Sequence, residues 1–278
     1  GLRSVPEVIE YLKEKPAYAD YLNQMDISLY HRGNVEKILM QSLYNDYTKM
    51  FRFAGMEQKK FLKLYWKRYE VMLINYCLRI VFNHYEKPFD LDYSKAIFDR
   101  YSQISIERLI TSRNIEELVD NLKDTEYYAP LKKIRDSEKS TLFDYDLALD
   151  LYYFSTLWKK EKRLLKGKEK ELFTRDFGTR IDLLNVQWIY RAKKYYHMVP
   201  PDIYSLTIPI QYRLKHEEFK ALVEAPTVEE FVKLMEETYY SRHYQLEDEK
   251  KMEQIYRDIE RRLYLMDRRR NPYSVATI

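Results

Sequence analysis

Five histidines, one cysteine and 44 acidic side chains are the material from which this chain could build a reactive site. The histidines (His31, His84, His197, His216, His243) are scattered. None forms the His-x₃-His or His–Glu pair that a zinc site draws from one helix face. A lone Cys77 can make neither a metal knuckle nor a redox pair. Its apolar helical surroundings predict a buried, reduced thiol and a cytosolic setting. Asp146 and Asp150 in "LFDYDLALDLYY" stand one turn apart, where two carboxylates can grip a cation. Acids near a helix start are also favoured by the helix dipole alone, and that reading is adopted. "RFAGMEQKK" holds Gly55 and a lysine without the spacing of a phosphate loop. The residues predict no catalytic set, no cofactor and no metal: the chain reads as something other than an enzyme.

Two basic stretches remain, "WKKEKRLLKGKEK" (158–170) and the run Arg268, Arg269, Arg270. With tyrosines as stacking platforms they could meet nucleic acid. Interleaved glutamates and a net charge of only +4 favour solvated helix faces instead, so no nucleic acid is expected. For Arg268–Arg270 an acidic protein surface is the better partner.

The elements that must position these residues are helices. Five glycines, nine prolines and 33% charged residues predict an all-α chain. No segment approaches the roughly 20 apolar residues of a membrane span, so a soluble protein without a direct span is expected. One short helix is written three times, as "SVPEVIEYLKEKPAY", "NIEELVDNLKDTEYY" and "TVEEFVKLMEETYY". In each, Ser4, Asn114 or Thr227 precedes Glu7, Glu117 or Glu230 by three positions, the signature of a capped start. An apolar stripe follows at i, i+3, i+4 and i+7, for example Ile115, Leu118, Val119 and Leu122.

Longer helices are predicted over Val35–Phe53, Glu57–His84, Asp144–Leu165, Lys168–Tyr196 and Glu247–Arg269, with "HMVPPD" a hard stop. Val71, Ile74, Leu78 and Tyr85 align with Ile181, Leu184, Trp188 and Tyr195 at an offset of 110, as does Asn75 with Asn185. An amide in an apolar stripe needs a hydrogen-bond partner, and Asn75 and Asn185 are expected to fix helix register. Three related helical units follow, over 1–100, 101–200 and 201–278, the first and third incomplete.

The repeated short helices, "FGTRIDLLNVQWIYRAKKYY" and "LMDRRRNPYSVATI" together resemble the family of V/A-type rotary ATPase C subunits, whose eukaryotic members are termed d. The likeness runs over most of 5–278. It implies three helical bundles about a pseudo-threefold axis, forming a funnel. This funnel would sit on the cytoplasmic face of the membrane, between the proteolipid ring and the shaft subunits D and F. It implies torque transfer without catalysis, in ATP-linked proton or sodium transport. Asp182, Asn185 and Arg191 match that family's acidic–Asn–Arg pattern and are candidates for a polar network. In the first copy Met72 stands where Asp182 would be. The competing reading is a helical adaptor built by triplication, one that could bind nucleic acid.

Overall fold

The computed structural model describes residues 3–84, 91–137, 140–244, 254–271 and 274. Among them every regular element is a helix, as an all-α chain requires. The chain forms two compact units, Gly1–Leu142 and Phe143–Ile278.

Unit 1 holds α1 (Val5–Lys13), α2 (Pro16–Leu22), α3 (Arg32–Phe53), α4 (Met56–Tyr65) and α5 (Lys67–Phe82). It continues through α6 (Asp92–Tyr101), α7 (Ile106–Ile110), α8 (Ile115–Asp120) and α9 (Tyr128–Arg135). The run expected from Glu57 to His84 is interrupted at Trp66. Its backbone stays α-helical (φ −55°, ψ −27°) while its ring is buried. The rings of Tyr47 and Phe98 lie 4.7 and 5.2 Å from it. Tyrosine here acts as core: Tyr44, Tyr47 and Tyr69 are buried around the indole. The phenol of Tyr47 keeps a partner by donating to the Leu62 carbonyl at 2.9 Å. Cys77 is fully buried, and burial pushes its thiol up to about 12.

Unit 2 holds α10 (Leu142–Leu164), α11 (Gly167–Lys194), α12 (Pro200–Leu206), α13 (His216–Glu224), α14 (Val228–Glu236), α15 (Tyr239–Tyr244) and α16 (Ile255–Arg270). Helix α11 is the spine, packed against α12, α13, α14 and α16. Its face Leu183, Val186, Ile189 and Tyr190 closes a core with Phe231 and Met235 of α14 and Ile259 of α16. Tyr85, the start of the helix expected from Glu247, and most of the closing "NPYSVATI" lie outside the described residues. No helix among the described residues is long and apolar enough to cross a membrane.

The repeat is visible in hydrogen bonds as well as letters. The Ser4, Asn114 and Thr227 side chains each accept the N–H three residues on, at 3.3, 2.8 and 3.1 Å. Glu7 and Glu117 reach back one residue beyond the cap, accepting the N–H of Arg3 and Arg113, both at 2.9 Å. The second and third copies stop identically. Thr125 and Thr238 each donate to the carbonyl three residues back, Leu122 and Met235, at 2.7 Å.

Candidate functional site

Just after each threonine stop stands a tyrosine, Tyr127 in unit 1 and Tyr240 in unit 2. Both are buried, and both donate their phenol to a carboxylate on the adjoining long helix. Tyr127 donates to Glu70 of α5 at 2.5 Å, and Tyr240 donates to Asp182 of α11 at 2.7 Å. In both units the short helix packs on that long helix, α8 on α5 and α14 on α11. One buried hydrogen bond to a charged acceptor thus fixes where the short helix ends against the long one.

Unit 2 elaborates this lock. Asp182 Oδ2 also accepts the backbone N–H of Arg213 (2.7 Å) and Leu214 (3.0 Å), and Oδ1 accepts that of Tyr212 (3.0 Å). One turn along α11, Asn185 grips the same connection between α12 and α13. Its Nδ2 donates to the Ile208 carbonyl at 2.9 Å, and its Oδ1 accepts the Ile208 N–H at 2.8 Å. Both side chains are fully buried, and the four backbone N–H groups they accept would otherwise be orphans, whereas the Ile208 carbonyl also accepts the Ile210 N–H at 2.8 Å. Burial pushes the Asp182 carboxyl above its usual range, against the pull of Tyr240 and the three N–H donors. Burial and the adjoining Asp182 charge keep the Tyr240 phenol protonated.

Close approach makes the grip possible. A Cβ on Gly178 would lie 2.5 Å from Cγ of Tyr212, so only glycine lets the loop reach α11 there. Gly178, Asp182 and Asn185 recur at i, i+4 and i+7 and form one face.

The structure joins Asp182 and Asn185 but leaves Arg191 outside: it is solvent-exposed two turns on and bonds to neither. Asn75 is half-buried on α5, and its Oδ1 is buried with no hydrogen-bond partner among the described residues. Arg268, Arg269 and Arg270 are exposed in the last turn of α16, where cations suit the helix C-terminus. The neighbouring Asp267 is fully buried and pairs with Arg175 of α11, anchoring that end of α16. Among the described residues no group of three or more His, Cys, Asp or Glu is placed to hold a metal. Sequence reasoning does not find Glu70, Tyr127, Tyr240 or Gly178. The Thr-x-Tyr shared by "DTEYY" and "ETYY" is the available signal for the tyrosines.

Within each unit the tyrosine–carboxylate bond ties a short helix to a long one. Comparison with known proteins gives the chain a context. A family model described as ATP synthase (C/AC39) subunit matches residues 2–278. The chain is 26% identical over 240 residues to the A-type ATP synthase C subunit of Methanosarcina mazei, covering 85% of this chain and 63% of that protein. It is 25% identical over 243 residues to the protein of the same name from Methanocaldococcus jannaschii, covering 86% and 59%. It therefore spans about six-tenths of the length of the curated relatives it matches.

Proposed function

The chain belongs to the ATP synthase (C/AC39) subunit family, and we propose that it is the non-catalytic coupler between the rotating shaft and the proteolipid ring of such a complex. The family match along the whole chain is the observation that carries this reading. A coupler needs helices that do not slide when torque is applied, and buried charge-assisted hydrogen bonds resist sliding more than apolar contacts do. The Tyr127–Glu70 and Tyr240–Asp182 bonds supply such resistance where a short helix meets a long one. In this reading the triplicated element builds three helical bundles about a pseudo-threefold axis. The resulting funnel sits on the cytoplasmic face, with the shaft subunits D and F in its mouth and the ring beneath.

The test is capture of the full-length tagged protein from detergent-solubilised membranes of its own source, with mass spectrometry of what accompanies it. Proteolipid and shaft proteins in stoichiometric recovery are expected. Recovery of neither, from cells shown to contain the complex, overturns the coupler role and leaves a helical adaptor descended from the family.

A further inference from the structure

The strongest unexplained feature of unit 2 is a solvent-open cavity of about 560 Å³ behind the Asp182 lock. It lies between α11, the 211–214 connection and the corner where α14 meets α15. Its charged lining is Lys170, Glu171, Arg175 and Arg213, and its rings are Tyr212, Tyr239 and Tyr244.

These charges are not equivalent. Arg175 is committed, holding Asp176 at 2.6 Å and Asp267 as a second ion pair. Arg213 is exposed and meets no carboxylate among the described residues. Its guanidinium instead lies over the rings of Tyr212 and Tyr239, 5.1 and 5.3 Å from their centroids. The backbone beneath it is clamped, because the N–H groups of Tyr212, Arg213 and Leu214 are all held by Asp182. Lys170 likewise has no carboxylate partner among the described residues, and Glu171 is the one acid in the lining. A guanidinium lying over two rings, on a clamped backbone, has less freedom to lose when a ligand arrives, which suits it as a recognition element.

We propose that this cavity receives an acidic segment of a partner polypeptide, with Arg213 as anchor and Lys170 as the second cation. A phosphate-bearing small molecule fits the site less well. Phosphate sites take their selectivity from free backbone N–H groups at a nest or helix start. Here the three N–H groups of the connection are already spent on Asp182. What faces the cavity is long cationic side chains and tyrosine rings, the composition of protein-interface anchors. The inference rests on the coupler reading only for which complex supplies the partner.

The experiment titrates the full chain with a short fluorescent polyglutamate peptide at low salt, alongside a polylysine peptide and inorganic phosphate as competitor. Binding of polyglutamate alone is expected, weakened about fivefold by each of Arg213→Gln and Lys170→Gln, the upper end for an exposed ion pair. Lys37→Gln, on α3 of unit 1, should leave it unchanged. Absence of polyglutamate binding, equal weakening by Lys37→Gln, or displacement by phosphate at equal concentration each overturns the proposal. Arg213→Gln is then carried into the membrane capture. Loss of a protein partner with normal melting supports an interface. Polyglutamate binding in a wild-type chain that captures no ATPase component keeps the cavity and removes the coupler.

Discussion

Consider replacing Tyr240 by phenylalanine. The ring stays, fully buried among α11 and α14 residues, and the one atom removed is the donor to Asp182 at 2.7 Å. A hydrogen bond to a charged group contributes about 1.5–3 kcal/mol net. With a domain of this size losing roughly 2–4 °C of Tm per kcal/mol, a drop of about 3–12 °C is expected. Asp182→Ala is the harsher change, because it leaves four donors without an acceptor: the phenol and the N–H groups of Tyr212, Arg213 and Leu214. At about 1 kcal/mol or more for each orphaned donor, the loss is about 4 kcal/mol or larger. Relief of the carboxylate's burial offsets part of it. The two changes share one bond, so the double variant should be less destabilised than the sum by about 1–3 kcal/mol. Amide hydrogen exchange separates the roles. In Tyr240→Phe the 212–214 amides stay protected, and in Asp182→Ala they exchange fast. Additive losses in urea denaturation, or a Tyr240→Phe cost below about 0.5 kcal/mol, would refute the lock.

Asn185→Leu should cost about 1–3 kcal/mol by orphaning the N–H of the buried Ile208, whose carbonyl keeps the Ile210 N–H at 2.8 Å, read as a lowered thermal midpoint with helicity retained. Gly178→Ala should cost about 2 kcal/mol even though alanine favours helix. The new Cβ would press on the root of the Tyr212 side chain, which has little freedom to move aside. Glu161 on α10 is fully buried with neither oxygen hydrogen-bonded among the described residues, and burial pushes its carboxyl from 4.5 up to about 8. The folded state therefore holds a proton that the unfolded state releases. The stability from this group is complete below about pH 4.5 and is lost as pH rises through about 8. Glu161→Gln should flatten denaturation midpoints over that window and be the more stable protein above it, by on the order of 5 kcal/mol.

Local chemistry is legible in the letters. Ser4, Asn114 and Thr227 cap the helices that their spacing announces, and Asn185 stands out from the apolar stripe of the long helix, whereas Asp182 is singled out only through the family resemblance. Non-local chemistry is not legible. That Asp182 holds Tyr212, Arg213 and Leu214 depends on a connection some 30 residues away folding back, and no periodicity encodes that. Arg191 looks equivalent to its neighbours because helical spacing gives a direction but not what stands there. Trp66 interrupts a run whose pattern continues unbroken, because aromatic packing and not propensity decides that point.

The first copy's acid explains why alignment of the long helices hides the lock. Matched on the asparagines, Met72 occupies the place of Asp182 and the acid looks lost. Counted from the tyrosine, it is not: Glu70 precedes Tyr127 by 57 residues, and Asp182 precedes Tyr240 by 58. Relative to the asparagine the acid has moved, from three residues before Asn185 to five before Asn75. At about 100° per residue, three residues return nearly to the same face and five do not. Asp182 and Asn185 can therefore grip one connection together, whereas Glu70 and Asn75 point apart. Glu70 instead takes Ser102 as its second donor, at 2.5 Å, and the Asn75 oxygen is left without a partner among the described residues. What the repeat preserves is the tyrosine–carboxylate bond between short and long helix. The asparagine clamp is an addition that works only where acid and amide share a face.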